Sequence, residues 1–288
     1  MNELSALLGD QNHDGGWGYH QVGSATEPTM FALLALCVSG RKHTPAAQRG
    51  IQWLKAIQRA DGGWPPYHGV PQSTWVTALP LLLPESLRLQ LATDRARRWL
   101  LSQQGRESTW EERIRNRLLR VNPLDTSQEG WPFYPNTAAW VSPTAFTVLG
   151  LERFPDHAQA KMRCESGREF LLSRKCSDGG WNHGSFKALG YDLPSYPETT
   201  GVALIGLHTR KGPKLEASIA KLIKTLHEVQ SREARCWMQL GLLSQGIPAP
   251  LTLENVRPAK TNMERSLTIL ADAASEGNNI LIGEHNNA

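Results

Sequence analysis

Two kinds of helical segment alternate along the chain. In Ala46 to Ile57 and Lys214 to Leu226, apolar residues recur three and four positions apart with polar residues between them. In Phe31 to Leu36, Val76 to Leu83, Phe146 to Leu151 and Val202 to Leu207, nearly every position is apolar or small. The first pattern predicts helices with one wet face. The second predicts helices surrounded by protein. The apolar segments open on Glu27-Pro28-Thr29, Gln72-Ser73-Thr74, Ser142-Pro143-Thr144 and Glu198-Thr199-Thr200. Ser, Thr, Glu and Pro are residues that cap or start helices. A fifth such helix is predicted from Glu233 to Ser244. No stretch alternates as a strand does, so the predicted fold class is all-α.

A repeat ties the two kinds together. Asp-Gly-Gly-Trp occurs at Asp14 to Trp17, Asp61 to Trp64 and Asp178 to Trp181, with a worn copy at Gln128 to Trp131. Each copy sits between an amphipathic segment and the apolar one after it. The unit is helix, glycine-rich turn, helix, about 50 residues long, and repetition at that period marks stacked hairpins. An inner ring of apolar helices covered by an outer amphipathic ring satisfies both kinds. This predicts one α/α toroid over residues 1–276, of five to six hairpins, with a charged insertion at about 105–122 and a polar tail at 277–288. Five inner helices are visible. The ring therefore either takes its last member from about Pro250 to Glu276, stays open, or closes on a partner.

Composition narrows the function classes. Of 288 residues, 40% are hydrophobic and 20% charged, which excludes disorder over the whole length. The excess of 31 basic over 27 acidic residues is too mild to call for nucleic acid. The longest apolar run, Phe31 to Val38, is too short to span a bilayer. No leader precedes the first turn, and Cys37, Cys164, Cys176 and Cys236 form no Cys-x-x-Cys pair. Free thiols and a cytoplasmic setting are the expectation.

Arg49, Gly50, Trp53, Leu54, Gln58, Gly62 and Trp64 fill every slot of the QW motif of terpenoid cyclases. Over residues 1 to about 246 the chain resembles the terpenoid cyclase and protein prenyltransferase β-subunit superfamily, with squalene–hopene cyclase-like repeats. The resemblance implies an α/α toroid. It also implies that the Gln ties the outer helix end to the stacked Trp. Lys175 stands where a Gln would in the last copy. Trp17, Trp64, Trp131 and Trp181 are read as packing between repeats.

The resemblance further implies an active cavity at the mouth where the inner helices begin. A class II cyclase protonates an alkene or epoxide there, which needs a carboxylic acid kept protonated. The family's Asp-x-Asp-Asp-Thr motif is absent. Glu27 and Glu198 are its nearest positional equivalents and the candidate acids. Ser73, Ser142 and four threonines (Thr29, Thr74, Thr144, Thr200) open the inner helices beside them. Tyr19, Tyr67, Trp75, Phe133, Tyr134, Trp140, Tyr196 and Trp237 are the candidate rings for binding a greasy substrate and facing a carbocation. The zinc of prenyltransferases needs converging Asp, Cys and His. Cys176, Asp178 and His183 run in the wrong order, so neither a metal nor a cofactor is predicted. His13, His20, His68 and His183 lie near the turns as rim residues.

The functional expectation is a terpenoid cyclase-like protein acting on, or binding, an isoprenoid or similar chain without the usual acid motif. The alternatives are a non-catalytic lipid- or peptide-binding toroid, and a prenyltransferase-like subunit needing a partner chain. Homo- or hetero-oligomerisation is an associated expectation. The insertion, with Ile114, Leu118 and Leu119 among five Arg, could cap the funnel, contact diphosphate or sit on a membrane surface.

Overall fold

A computed structural model describes residues 2–20, 22–119, 127–188, 191–249, 253 and 256–283. Its α-helices are α1 (Glu3–Gly9), α2 (Thr26–Val38), α3 (Pro45–Ile57), α4 (Glu85–Arg88), α5 (Thr93–Leu101), α6 (Trp110–Leu119), α7 (Val141–Leu151), α8 (Ala158–Ser173), α9 (Pro197–Gly206), α10 (Pro213–Thr225), α11 (Arg232–Ser244) and α12 (Asn262–Ser275). A 3-10 helix covers Trp75–Leu82, where an α-helix was expected; Pro80 inside it has no N–H to give an α-helical ladder. The strands described are a two-residue antiparallel pair, Lys187–Ala188 with Tyr191–Asp192.

Six segments close a ring: α2 lies against the 3-10 helix, that against α7, then α9, α11 and α12, and α12 returns to α2. Of the three ways of ending the ring left open by the sequence, the structure shows the first: α12, within 250–276, is the sixth inner member. The outer helices α1, α3, α5, α8 and α10 pack behind. The pattern explains this split. Every α2 residue from Pro28 to Leu36 is buried, and so is every α7 residue except Ser142. Helix α3 buries one face, with Ala47, Gly50, Ile51, Trp53, Leu54 and Ile57. Helices α9 and α11 touch through their backbones. A Cβ on Gly201 would lie 2.2 Å from the Trp237 carbonyl oxygen, so only glycine fits there.

The repeated turn works by a repeated set of hydrogen bonds. The indole N–H groups of Trp17, Trp64, Trp131 and Trp181 donate to the carbonyls of Leu7, Leu54, Leu100 and Leu171 at 2.7, 2.8, 2.8 and 2.6 Å. Each binds a carbonyl in the last turn of an outer helix, where the α-helical ladder runs out. Their backbone N–H groups donate to the hydroxyls of Thr29, Thr77, Thr144 and Thr200 at 2.8–3.0 Å, locking turn to inner helix. Gly62 has φ +93°, the conformation the turn needs.

The Gln contact differs from expectation. Gln11 and Gln58 donate to their own turn, at the carbonyls of Gly15 and Gly62 (2.8 and 2.9 Å), and to the start of the next outer helix, at Ala46 and Ala92 (2.8 and 3.2 Å). The side chain stitches outer neighbours together, and Trp is not its partner. Lys175 makes the equivalent reach to Lys214 at 2.6 Å. An ammonium has donors enough for that carbonyl, which explains why the copy tolerates it.

The first and last helices meet. Asn262 donates to the carbonyl of Gly18 at 3.0 Å, and its backbone N–H donates to Tyr19 at 3.1 Å. Arg265 bonds Asp10 at 2.9 Å. The 277–288 segment was expected to be a polar tail. Asn279, Ile280 and Leu281 are buried instead, with Arg153 donating to the carbonyls of Ile280 and Leu281. Residues 284–288 lie outside the described residues, as do 120–126 at the end of the insertion.

Candidate active site

Matching the Trp-to-Thr bonds sets the register of the inner segments. The residue two places before the threonine is Glu27, Trp75, Ser142 or Glu198. Ser73 and Thr74, expected at the opening of the second inner segment, lie earlier. Ser73 is buried and donates to Asp61 at 2.7 Å, bracing the turn. The 3-10 helix therefore presents Trp75 where α2 and α9 present glutamates.

The ring's axis is closed by aromatic side chains. Phe31, Phe146 and Trp237 come from α2, α7 and α11, which are alternate members of the ring, so they meet across its centre. Their centroids are 5.5 Å (Phe31–Trp237), 5.7 Å (Phe146–Trp237) and 6.0 Å (Phe31–Phe146) apart. Edge-to-face contacts of this kind favour one fixed arrangement. The open funnel anticipated from the sequence is instead closed at its axis, with this trio as a floor. A wall of rings climbs from it. Trp75 lies 5.8 Å from Phe146 and 5.6 Å from Phe133; Phe133 lies 5.7 Å from Trp140; His183 lies 6.0 Å from Trp140 and 5.1 Å from Tyr196. Tyr67 and Tyr134 are 45% and 47% exposed. Among the described residues neither stacks on this wall, and both belong to the rim.

The carboxyl groups gather on the mouth side of the floor. Glu27 is one turn before Phe31 on α2. Tyr19 donates its hydroxyl proton to Glu27 Oε2. Protein crowds the Glu27 carboxyl, and that burial pushes it up from 4.5 to about 7; the Tyr19 hydrogen bond opposes the rise and the nearby Glu233 adds to it. Burial, with Glu27 beside it, also raises the Tyr19 hydroxyl. Glu233 is one turn before Trp237 on α11, whose side chain hydrogen-bonds it. Burial raises Glu233 too, opposed by the Trp237 hydrogen bond and helped by Glu264 and Glu198. Yet Glu233 keeps much of its surface exposed. Glu198 is half-buried at the start of α9.

Of the candidates from the sequence, Glu27, Glu198, Tyr19, Trp75, Phe133, Trp140, Tyr196 and Trp237 lie on the mouth side of the ring. Beside them stand Glu233, Phe31 and Phe146, which were not among those candidates. Glu233 opens an inner helix just as Glu27 and Glu198 do, and that was the available signal. No glycine turn precedes it to flag the position. His13, His20 and His68 are exposed. Among the described residues no three His, Cys, Asp or Glu side chains converge as a metal site, and no helix is long and apolar enough to cross a membrane. A cavity of about 560 Å³ lies at the far end of the ring, lined by Leu149, Phe154, Cys164, Arg168, His208 and Leu281 among others, well away from the carboxyl groups.

Known proteins resemble this chain at several levels. The family model of the squalene-hopene cyclase C-terminal domain matches residues 3–77, the stretch that holds Tyr19, Glu27 and two of the tryptophan turns. Drimenyl diphosphate synthase of Streptomyces showdoensis is 25% identical over 77% of this chain. The matched part is 39% of that enzyme, so the chain spans about two fifths of its length. The squalene–hopene cyclase of Alicyclobacillus acidocaldarius is 48% identical over 46 residues, 16% of this chain and 7% of that enzyme.

Among solved structures, a family 8 endoglucanase of Klebsiella pneumoniae superposes with TM-score 0.60 at 12% identity, covering 95% of this chain and 98% of that one. The ent-copalyl diphosphate synthase of Streptomyces platensis gives 0.52 at 15% identity, covering 89% and 50%. These two likenesses concern the fold alone, which unrelated chemistries share. The sequence relatives choose between them: the repeat, the turn chemistry and the matched segment all resemble the terpenoid cyclase superfamily.

Proposed function

We propose that the chain acts on an isoprenoid or similar hydrophobic chain seated in the aromatic bowl, and that Glu27 starts a class II-type cyclisation. The observation that carries this is the Glu27 carboxyl: crowded by protein, raised to about 7, bonded by Tyr19, and one turn from the Phe31–Trp237 edge contact. Near neutral pH such a group still holds a proton to give. That proton would add to one carbon of an alkene, whose π electrons form the new C–H bond. The neighbouring carbon becomes a cation, and the next alkene attacks it to form a C–C bond. A final proton loss to a carboxylate or water ends the sequence. Each π-face beside the cation contributes about 0.5–2 kcal/mol; Trp237, Trp75, Trp140 and Tyr196 are the rings in reach of the bowl, with Tyr67 and Tyr134 at the entrance. Tyr19 then stabilises the carboxylate left on Glu27. Glu198, at the start of α9, is the second acid candidate. The chemistry needs no metal or cofactor.

The test is incubation of the purified protein with polyprenols, polyprenyl diphosphates and squalene, beside Glu27→Gln and Glu198→Gln. Cyclised product that vanishes with Glu27→Gln supports the reading; product unaffected by that change overturns the assignment of the acid. One feature favours a second reading. The mouth is open at Glu233 and at the exposed Tyr67, Tyr134 and Tyr196, while a carbocation needs a dry site. A cover is then required, from a partner chain or a lipid surface. Helix α6 presents Trp110, Ile114 and Leu118 four residues apart, 71%, 51% and 77% exposed. Its start is tied to the mouth-side loop through Gly105 and Arg106. That stripe supports peripheral membrane contact. Without turnover, a co-purified lipid in the bowl would favour a carrier.

A further inference from the structure

Two glutamates from different helices stand in matching places. Glu27 is four residues before Phe31, and Glu233 four before Trp237. Residues four apart share a helix face about one turn apart. The Phe31 and Trp237 rings are 5.5 Å apart across the axis, and both helices start at the mouth. The two carboxyl groups therefore face each other over that ring contact. We infer that Glu27 and Glu233 act as one carboxyl pair across the mouth, with Glu233 a positioning residue that keeps the pair's proton on Glu27 and fixes the Trp237 ring. The inference deepens the reading of Glu27 as the proton donor and rests on it.

The surrounding groups give the pair its order. Glu27 is faced by Tyr19 from the turn and by Glu233 from α11, and Tyr19 in turn lies near Tyr67. Glu233 is faced by Glu198 from α9, Glu264 from α12 and the Trp237 side chain from its own helix. The cations nearest in sequence point elsewhere. Arg232 bonds Glu3 and the Arg257 carbonyl, Arg235 bonds the His227 and Val229 carbonyls, and Arg265 bonds Asp10. Glu264 accepts the Lys260 and Thr261 backbone N–H groups in a capping box. The charge of Glu233 is among the causes holding Glu27 up. Glu233 is the more exposed of the two and is bonded by Trp237, which favours its carboxylate. That carboxylate makes ionisation at Glu27 harder, as like charges sharing a site must. The Trp237 hydrogen bond also fixes the indole whose ring forms the floor.

The experiment is carboxyl titration by NMR of full-length protein labelled with carbon-13 at the glutamate side chains, without substrate. The wild type should show Glu27 titrating last, with Glu27→Gln assigning its signal. In Glu233→Gln the Glu27 midpoint should fall by roughly one pH unit, and Glu233→Asp should restore it. An unmoved Glu27 midpoint in a Glu233→Gln protein with wild-type thermal unfolding overturns the pair. If Glu233→Gln does not fold, Glu233→Ala decides: the Glu27 midpoint must fall when the facing carboxyl is lost, and an unchanged midpoint overturns the pair. Because no substrate is present, the two readings can fail separately. A shifted Glu27 midpoint with no turnover of any substrate sinks the cyclase reading alone. Turnover that depends on Glu27, with a pH profile and titration indifferent to Glu233, sinks the pair alone.

Discussion

Glu27→Gln should change how stability depends on pH, whatever the substrate proves to be. A carboxyl raised from 4.5 to about 7 binds its proton more tightly in the folded chain than in the unfolded one. Its contribution is fully present below the unfolded value of 4.5 and is lost as pH rises through about 7. At about 1.4 kcal/mol per pH unit, the whole span amounts to about 3 kcal/mol, of which about 2 kcal/mol falls between about pH 5.5 and about pH 8. Glutamine keeps an oxygen for the Tyr19 hydroxyl and never ionises, so this dependence disappears from the variant. Urea unfolding of both proteins, followed by tryptophan fluorescence, measures the difference. The stability of Glu27→Gln relative to wild type should climb by about 2 kcal/mol from the lower to the higher pH. A difference that stays flat within about 0.5 kcal/mol would refute the claim that folding holds a proton on Glu27.

Two substitutions away from the carboxyl groups test the ring itself. Gly201→Ala drives a methyl group to 2.2 Å from the Trp237 carbonyl oxygen, where backbone must move; thermal or urea unfolding should show a loss of about 3 kcal/mol, and a loss below about 1 kcal/mol would mean that α9 and α11 can separate freely. Trp64→Phe keeps most of the ring but strips the Leu54 carbonyl of its 2.8 Å donor; a loss of about 1–3 kcal/mol is expected by urea unfolding, and stability equal to wild type would show that the bond contributes nothing.

Much of the architecture was legible because repetition multiplies a weak signal. A single Asp-Gly-Gly-Trp could be any turn, but registered copies between an amphipathic and an apolar helix leave few alternatives to stacked hairpins. The sixth inner helix was harder to read. Helix α12 follows no tryptophan turn, and its capping box of Thr261 and Glu264 marks only a helix start. Glu27 was legible by position, since it opens an inner helix. Its environment was not, because Glu233 reaches it from a helix some two hundred residues away in sequence. The closed axis was hidden for the same reason. Phe31, Phe146 and Trp237 each look like ordinary core residues within their own helices, and only the threefold alternation of ring members brings them together. The role of Gln58 was misjudged because its partner, the Ala92 carbonyl, belongs to the next repeat and offers no side chain to notice.

The clamp between Asn262 and the Gly18–Tyr19 loop spans 244 positions of sequence. The loop before α2 and the wall that holds it therefore meet only when segments far apart in the chain are brought together. Until they meet, the apolar helix that carries Phe31 to Leu36 has one flank unclosed. Contacts of such long range slow folding and leave sticky surface on show in the meantime. Closing the ring is therefore a long-range step of folding, and the loop that carries the tyrosine beside Glu27 gains its anchor only when that step is complete.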